Sequence, residues 1–233
     1  AGPAMIEGGG LGTYAPEDIG PVDVQTENGV IDILVPDDAA AVVAAKHYLS
    51  YFQGSLSDWE SHDQTAMRDV VPENRKRIYD AREAVTLLSD IDAVLELRPL
   101  FGRSIVTALA RIEGRPVGII ANDPGHLGGA IDSDSADKAS RFMQLCDAHG
   151  LPLISLCDTP GFMVGPEAEK TAQVRHFGRM FVTGASLAVP LVSVILRKAV
   201  GLGAMAMAGG SFHRNLLSVA WPTGELSGMG IEG

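Results

Sequence analysis

The feature that most constrains this chain is a regular alternation of strand-like and helix-like patterns, which begins near residue 74. Apolar runs of strand length lie at 93–100, 104–112, 116–123, 151–158 and 189–197. Helix-like patterns lie at 74–90, 132–148 and 167–188, and a further helix should begin in the glycine segment after residue 200. The second and third apolar runs are joined by a turn, EGRP. Alternation of short buried strands with helices is typical of an α/β domain, and we predict that fold class.

The beginning of the chain does not follow this alternation. Residues 1–53 contain a glycine-rich loop, then a strand-like run, GVIDILV, and then a helix that Asp37 or Asp38 should cap. Residues 54–73 are polar, acidic and aperiodic, which is typical of a linker.

These patterns predict three parts: 1–53 as the end of one domain, 54–73 as a linker, and 74–233 as most of a second domain. The sequence starts without Met and stops at GMGIEG without a final helix or strand. We therefore expect a piece of a longer protein.

Composition narrows the classes of partner and compartment. The net charge is −11 and no cluster of Lys and Arg supplies the concentrated basic face that phosphate binding needs, which argues against nucleic acid as the main partner. The apolar runs are too short to span a membrane. Cys146 and Cys157 lie in apolar stretches, which favours buried thiols in a reducing cytoplasm. The six histidines have no metal-ligand spacing, so we expect no metal site.

Glycine-bearing turns between a strand and a helix recur at 122–138, 157–170 and 197–210. The N-terminus of a helix offers unpaired N–H groups, and glycine lets a ligand approach that backbone closely. Such a turn can stabilise an anion or a developing oxyanion without a reactive side chain. The turns are therefore candidate binding sites, with plain connectors between elements as the alternative interpretation.

A dinucleotide-binding interpretation of the last turn is weaker. Gly201, Gly203 and Ala206 loosely match the glycine pattern, and Glu225 lies at a suitable distance downstream. However, the polar RKAV interrupts the junction between strand and glycines, and WPTGEL is a poor second strand.

Four polar residues near these turns also have interpretations. Asp132 and Asp134 should cap the helix that follows them. Asp158, at a strand end, is a polar candidate for the site. His176 is expected to be a packed or capping histidine rather than a base.

Several blocks, in this order, resemble the carboxyltransferase component of biotin-dependent acyl-CoA carboxylases, the acetyl-CoA and propionyl-CoA carboxylase β-subunit family. They are FGRSIVTALARIEGRPVGIIAN, GGAIDSDSADKASRFMQLCDAHGLPLISLCDTPGFMVGPEAEK, VPLVSVILRKAVGLGAMAM and AWPTGELSGMG. EGGGLGTYAPEDIGP and GVIDILVPDDAAA are similar to the end of that family's N-terminal half.

This resemblance implies two crotonase-like domains, with coenzyme A bound mainly by the N-terminal one and biotin mainly by the C-terminal one. It implies transfer of a carboxyl group from N1-carboxybiotin to the α-carbon of an acyl-CoA. It also implies a biotin carboxyl carrier, a biotin carboxylase and further copies of the chain as partners. Active sites would then form between subunits, and the apolar surface of VRHFGRMFVTGASLA would be buried there.

The family's chemistry uses paired backbone amides as oxyanion holes, and the resemblance places the biotin-side pair at Leu202 and Gly203. The family's N-terminal pair matches nothing in this sequence. Met205 stands where several short-chain carboxylases carry an Asp, which implies a more apolar acyl pocket. The residues expected to bind the cofactor are Gly128, Gly129, Gly161, Phe162 and Gly201.

Three hypotheses stay open on the sequence. The first is a fragment of a carboxyltransferase that needs its missing half and a biotin carrier. The second is a crotonase-type decarboxylase or hydratase that acts on acyl-CoA without biotin. The third is a non-catalytic assembly module of a carboxylase.

Overall fold

A computed structural model describes residues 2–229 of the chain. Within this range the helices are α1 (Pro3–Gly8), α2 (Val22–Glu27), α3 (Asp38–Ser50), α4 (Met67–Val70), α5 (Ala81–Leu88), α6 (Ser133–Ala148), α7 (Pro166–Lys170), α8 (Gln173–Ser186) and α9 (Gly201–Met207). The strands are β1 (Val94–Leu97), β2 (Ile105–Ile112), β3 (Arg115–Asn122), β4 (Leu153–Thr159), β5 (Leu191–Val200), β6 (Leu217–Ala220) and β7 (Glu225–Ser227).

The strands form one sheet in the order β1-β2-β3-β4-β5-β6, and β7 pairs with the last residues of β5. β1, β2 and β3 are antiparallel neighbours, whereas β3, β4 and β5 run parallel to one another. β6 and β7 are also parallel to β5. The predicted α/β class is confirmed.

Helices pack on both faces of this sheet. One core cluster joins the sheet to α6 and α8, and its members include Ile105, Ile120, Phe142, Met143 and Met180. The other joins the opposite face to α5, and its members include Val85, Val106, Ile119, Leu156 and Leu196. Ile119 and Ile120 lie in different clusters because successive side chains of a strand point to opposite faces.

The EGRP turn forms the predicted hairpin between β2 and β3. Glu113 and Gly114 connect the strands with positive φ angles of 51° and 73°. Both of their N–H groups donate to the carboxylate of Asp90, at 2.9 and 2.7 Å. This left-handed two-residue turn matches the twist of paired strands.

Two of the predicted helix caps are present, and the cap expected at Asp134 is wrong. Asp37 caps α3 by accepting from the N–H of Ala40, and Asp132 caps α6 by accepting from the N–H of Ser135. Asp134 lies in the first turn of α6 rather than at the cap.

Both cysteines are free and buried, as the sequence indicates. Burial raises the pKa of the Cys146 thiol above its usual range and that of Cys157 to about 12. Among residues 2–229, no helix is both long enough and apolar enough to cross a membrane.

The strand expected at GVIDILV is wrong. Residues 29–35 are irregular, and one backbone bond, from the N–H of Arg98 to the carbonyl of Asp32, ties them to the end of β1. Val30 and Leu34 are exposed. The apolar pattern is strand-like, but no strand in the described range lies beside it to form a ladder.

Three other boundaries differ from the predictions. The helix expected from residue 74 begins only at Ala81, because Asp80 caps it there. The helix expected over 167–188 is divided into α7 and α8 by Ala172, whose φ of 56° is left-handed. The last long strand does not stop at Arg197 but continues to Val200, so RKAV does not interrupt it.

Candidate active site

The three glycine turns lie at one edge of the sheet. The first turn (123–131) follows β3, the second (160–165) follows β4, and the third (201–203) follows β5. Because these strands are parallel neighbours, their C-terminal ends share an edge. In open α/β sheets, ligands bind outside the carboxyl ends of the strands.

The first and second turns are joined by their backbones. The N–H of Ile131 donates to the carbonyl of Gly161 at 3.0 Å, and the N–H of Met163 donates to the carbonyl of Ile131 at 2.8 Å. Gly129 lies so close to the end of β4 that a Cβ there would overlap the carbonyl oxygen of Asp158. Gly129 also has a φ of 84°, so both space and conformation require glycine.

The third turn lies against the second. A Cβ on Gly203 would stand 2.8 Å from two backbone atoms of Gly161 and 3.2 Å from the N of Phe162. Gly201 has a φ of 57°, which turns the chain directly from β5 into α9. The close approach of these two backbones therefore depends on the absence of a side chain at residue 203.

The N–H groups of Leu202 and Gly203 are free of partners in the described part of the chain. These residues are the second and third of α9, where no preceding carbonyl of the helix can accept. The Leu202 side chain is 61% exposed, whereas Gly203 is buried. Two adjacent main-chain donors at the positive end of a helix suit an anionic oxygen.

A buried carboxylate, Asp158, lies beneath the turns. It is fully buried and accepts from the hydroxyl of Tyr79 at 2.9 Å and from Nε of Arg197 at 3.0 Å. The guanidinium of Arg197 also lies over the Tyr79 ring, 5.1 Å from its centre. Burial, followed by the nearby Asp158 charge, raises the pKa of Tyr79 and keeps its phenol a donor.

Asp158 also replaces a bond of the sheet. The register of β4 with β5 shifts between Cys157 and Thr159, and the Asp158 carboxylate accepts from the N–H of Lys198 at 3.1 Å. On the other side, the side-chain oxygen of Asn122 accepts from the N–H of Asp158 at 3.1 Å. The strand backbones can therefore separate at this edge without leaving these N–H groups unpaired.

The structure brings most of the predicted site residues together. The three turns are in contact through four of these residues, Gly129, Gly161, Phe162 and Gly203. Met205 is partly buried and lies in α9, two residues after Gly203. The ring of Phe162 stacks on Phe177 of α8, with centroids 3.7 Å apart. Its backbone, rather than its ring, is therefore the part that lies against the third turn.

Other residues of the site were missed or given smaller roles by sequence reasoning. Tyr79 and Asn122 carry no pattern that singles them out. For Arg197 and Lys198, the signal that could have found them is the pair of cations at the end of an apolar strand. Asp158 was noted only as a polar candidate. His176 bonds to Asp137 through Nδ1 at 2.9 Å, consistent with a packed histidine.

Residues 4–233 match the carboxyl transferase domain family. The chain belongs to this family. Its similarity to known members covers the whole described fold, which confirms both the family and the crotonase-like α/β class that the resemblance implied.

This carboxyl transferase chain has named relatives. It is 39% identical over 213 residues to the uncharacterized carboxylase YngE of Bacillus subtilis, covering 88% of this chain and 42% of that protein. It is 35% identical over 214 residues to the methylmalonyl-CoA carboxyltransferase 12S subunit of Propionibacterium freudenreichii, covering 88% of this chain and 41% of that subunit. The chain thus spans less than half the length of these relatives.

Two solved structures are similar as well. A single-chain, multi-domain long-chain acyl-CoA carboxylase matches with a TM-score of 0.97 and 62% identity, over 100% of this chain and 24% of that one. The transcarboxylase 12S hexamer matches with a TM-score of 0.86 and 32% identity, over 99% of this chain and 46% of that one.

Proposed function

We propose that the protein containing this chain transfers a carboxyl group from N1-carboxybiotin to the α-carbon of an acyl-CoA, and that this chain supplies the biotin side of the site. The observation that carries the proposal is the pair of N–H groups at Leu202 and Gly203, which have no partner among residues 2–229 and lie at the edge where the three glycine turns meet. Family membership supports the reaction class.

The donors present fit a ureido carbonyl. Biotin, when bound, supplies the carboxyl group and a ureido nitrogen that takes the substrate's α-proton in the chemistry the resemblance implies. The N–H groups of Leu202 and Gly203 would stabilise negative charge on the adjacent oxygen without any proton transfer. Because they are main-chain groups fixed by the packing of Gly203 on Gly161, they need no reorganisation during the reaction.

The other residues have supporting roles in this proposal. Gly128, Gly129, Gly161, Phe162 and Gly201 form the backbone surface on which biotin would lie. Met205 would line the acyl pocket. Replacing Met205 with Leu should change the preference among acyl chains modestly, because pocket shape changes but no charged group does.

The proposed assembly follows from exposed apolar surface. Val174 and Val182 of α8 are 73% and 68% exposed, and we assign this face to contact with another copy of the protein. The transcarboxylase 12S subunit, which this chain resembles, assembles as a hexamer. A biotin carboxyl carrier and a biotin carboxylase are the proposed enzymatic partners. Two buried free thiols suit a cytoplasmic compartment.

The proposed domain division is 1–53, 54–73 and 74–233. Residues 1–53 would complete the coenzyme A domain together with residues from outside this chain. Support comes from the exposed apolar side chains of this segment, which include Met5, Leu11, Val30 and Val43.

The test replaces Leu202 with Pro and, as the matched control, with Ala in the intact protein. Pro removes one N–H but is tolerated in the first turn of a helix, and the exposed Leu202 side chain has little packing to lose. Leu202→Pro should lower kcat about 10²- to 10³-fold, whereas Leu202→Ala should stay near the original rate. Gly203→Ala is a poor test, because its Cβ would press on Gly161 under either interpretation.

The assay follows label from carboxybiotin to an acyl-CoA panel. A folded Leu202→Pro protein with full turnover would refute the backbone-donor role. Turnover of acyl-CoA without label transfer would favour the biotin-independent decarboxylase or hydratase. Carboxylation that survives every change in the third turn would favour an assembly module.

A further inference from the structure

Lys198 occupies a central place among the three turns. It lies near the end of β5, its side chain is 31% exposed, and its own N–H donates to Asp158. Its Nζ donates to the carbonyl oxygen of Gly128 at 2.8 Å and stands 3.8 Å from the nearer carboxylate oxygen of Asp158. The side chain therefore reaches from β5, past the end of β4, to the turn that follows β3.

The first turn has a backbone that needs support. Leu127, Gly128 and Gly129 have consecutive positive φ angles of 51°, 61° and 84°. A left-handed conformation costs a side-chain-bearing residue such as Leu127 roughly 1–2 kcal/mol. Leu127 is also 45% exposed, so its side chain gains little from packing. Contacts from neighbouring elements must hold such a turn in place.

The three turns contact one another in pairs, and the pairs differ in kind. The first and second turns share two backbone hydrogen bonds, and the second and third are in backbone contact at Gly161 and Gly203. Between the first and third turns, no backbone hydrogen bond exists within residues 2–229. The bond from Lys198, in the part of β5 that leads into the third turn, to Gly128 makes this third connection.

We propose that Lys198 is a positioning residue for carboxyl transfer, which holds the left-handed first turn in register with the N–H pair of the third turn. The inference rests on the proposed function, since it assigns Lys198 a part in the same site. Lys198 acts through Gly128 and does not itself touch the reacting atoms.

The chemistry of the neighbours explains why a lysine serves here. A charged donor bonds a carbonyl oxygen more strongly than a neutral donor does, and Asp158 offsets the cost of burying that charge. Burial nevertheless lowers the pKa of Lys198. Arg197 cannot take the same role, because its guanidinium is engaged with Asp158 and with the carbonyls of Arg75 and Arg77.

The kinetic test compares Lys198→Met, Lys198→Arg and Lys170→Met in the intact protein. Met keeps most of the length of the lysine side chain but cannot donate, whereas Arg can donate to the Gly128 carbonyl. Lys170 is exposed on α7 and controls for loss of a lysine charge. Lys198→Met should lower kcat about 10- to 100-fold with KM for acyl-CoA unchanged, since misplacement of a site element acts on the chemical step. Lys198→Arg should recover most of the loss, and Lys170→Met should match the original protein.

A second measurement separates positioning from general destabilisation. Amide hydrogen exchange should accelerate in residues 126–131 of Lys198→Met and stay unchanged in β2, β3 and α6. Unchanged kcat in Lys198→Met would overturn the inference. So would a loss that Arg does not recover, or faster exchange spread across the whole sheet.

The Leu202 variants keep this result distinct from the proposed function. If Leu202→Pro abolishes transfer while Lys198→Met does not slow it, the inference about Lys198 fails and the proposed function stands. If neither Leu202→Pro nor Lys198→Met slows transfer, the backbone-donor role that carries the proposed function fails as well.

Discussion

Apolar side chains are mostly exposed in the first 53 residues and mostly buried in the sheet that begins at β1. Within residues 2–53, the buried residues are Thr26 and Tyr51. In β2 and β3, by contrast, Ile105, Leu109 and Ile120 are fully buried. Both regions contain apolar runs, so the difference lies in what each run can pack against.

Helix α3 illustrates the difference well. It has a proper cap at Asp37, yet Val42, Val43 and Leu49 are all more than half exposed. Its helix-forming residues and cap are sufficient for the local structure, while no core formed by residues 2–229 covers most of its apolar side chains. An exposed apolar surface of this kind marks an interface, which fits the proposal that 1–53 completes a domain with other residues.

Residues 54–66 are mostly exposed, like the first segment, whereas the end of the segment 54–73 packs with the sheet. Met67, Val70 and Val71 are buried in the cluster that contains α5. Acidic, aperiodic sequence around them is typical of a linker, but these three side chains anchor its end. The change from mostly exposed to mostly buried apolar side chains therefore falls near residue 67.

The largest effect that we expect concerns the chain by itself, which should show no carboxyl transfer. The resemblance implies two oxyanion pairs, and this sequence offers a match for the biotin-side pair alone. The measurement is turnover of free biotin with malonyl-CoA by the purified chain, beside the intact protein. Clear turnover by the chain would show that the first segment needs no partner for activity.

The next effect compares a carboxylate from each region. Asp158→Ala leaves Arg197 buried without its counter-ion and should lower the free energy of unfolding by about 3–5 kcal/mol. Asp37→Ala removes the cap of α3 and should cost about 1 kcal/mol. Urea unfolding monitored by tryptophan fluorescence measures both. Equal losses would mean that the two regions share one core.

Much of the sheet could be predicted because its signals are local. Asp132 predicts the start of α6, EGRP predicts the hairpin, and the apolar runs predict β2 to β5. The glycine turns could be found for the same reason, since their glycines follow predicted strands directly.

The remaining features depend on contacts between distant parts of the chain. Tyr79 meets Asp158 across 79 positions, and Lys198 meets Gly128 across 70. GVIDILV is irregular because, within residues 2–229, a single backbone bond from Arg98 joins it to the end of β1 and no ladder forms. No pattern within those residues indicates that a ladder is absent. The domain boundaries and the roles of the site residues stay predictions.

Replacing one glycine in each region should have a smaller effect on the free energy of unfolding, and it tests the same contrast between the first segment and the sheet. Gly129 and Gly10 both have positive φ, at 84° and 70°. A Cβ at Gly129 would overlap the Asp158 carbonyl, whereas a Cβ at Gly10 would meet nothing within 4 Å. Gly129→Ala should therefore cost about 2–4 kcal/mol, from strain plus overlap, and Gly10→Ala about 1 kcal/mol from strain alone. The same unfolding measurement decides, and similar losses would contradict the packing described for the first turn.

The smallest effect on the chain, and the sharpest test of the first segment, is Val43→Ser. Val43 is 67% exposed, so in the chain alone the change should alter the free energy of unfolding by less than about 0.5 kcal/mol. In the intact protein the same change should cost about 1–2 kcal/mol, because a partner surface would bury the valine methyl groups. Lys46→Ser, also exposed on α3, serves as the control for loss of helix propensity. If Val43→Ser is neutral in both settings, α3 faces solvent in the intact protein, and residues 1–53 do not complete a second domain through this face.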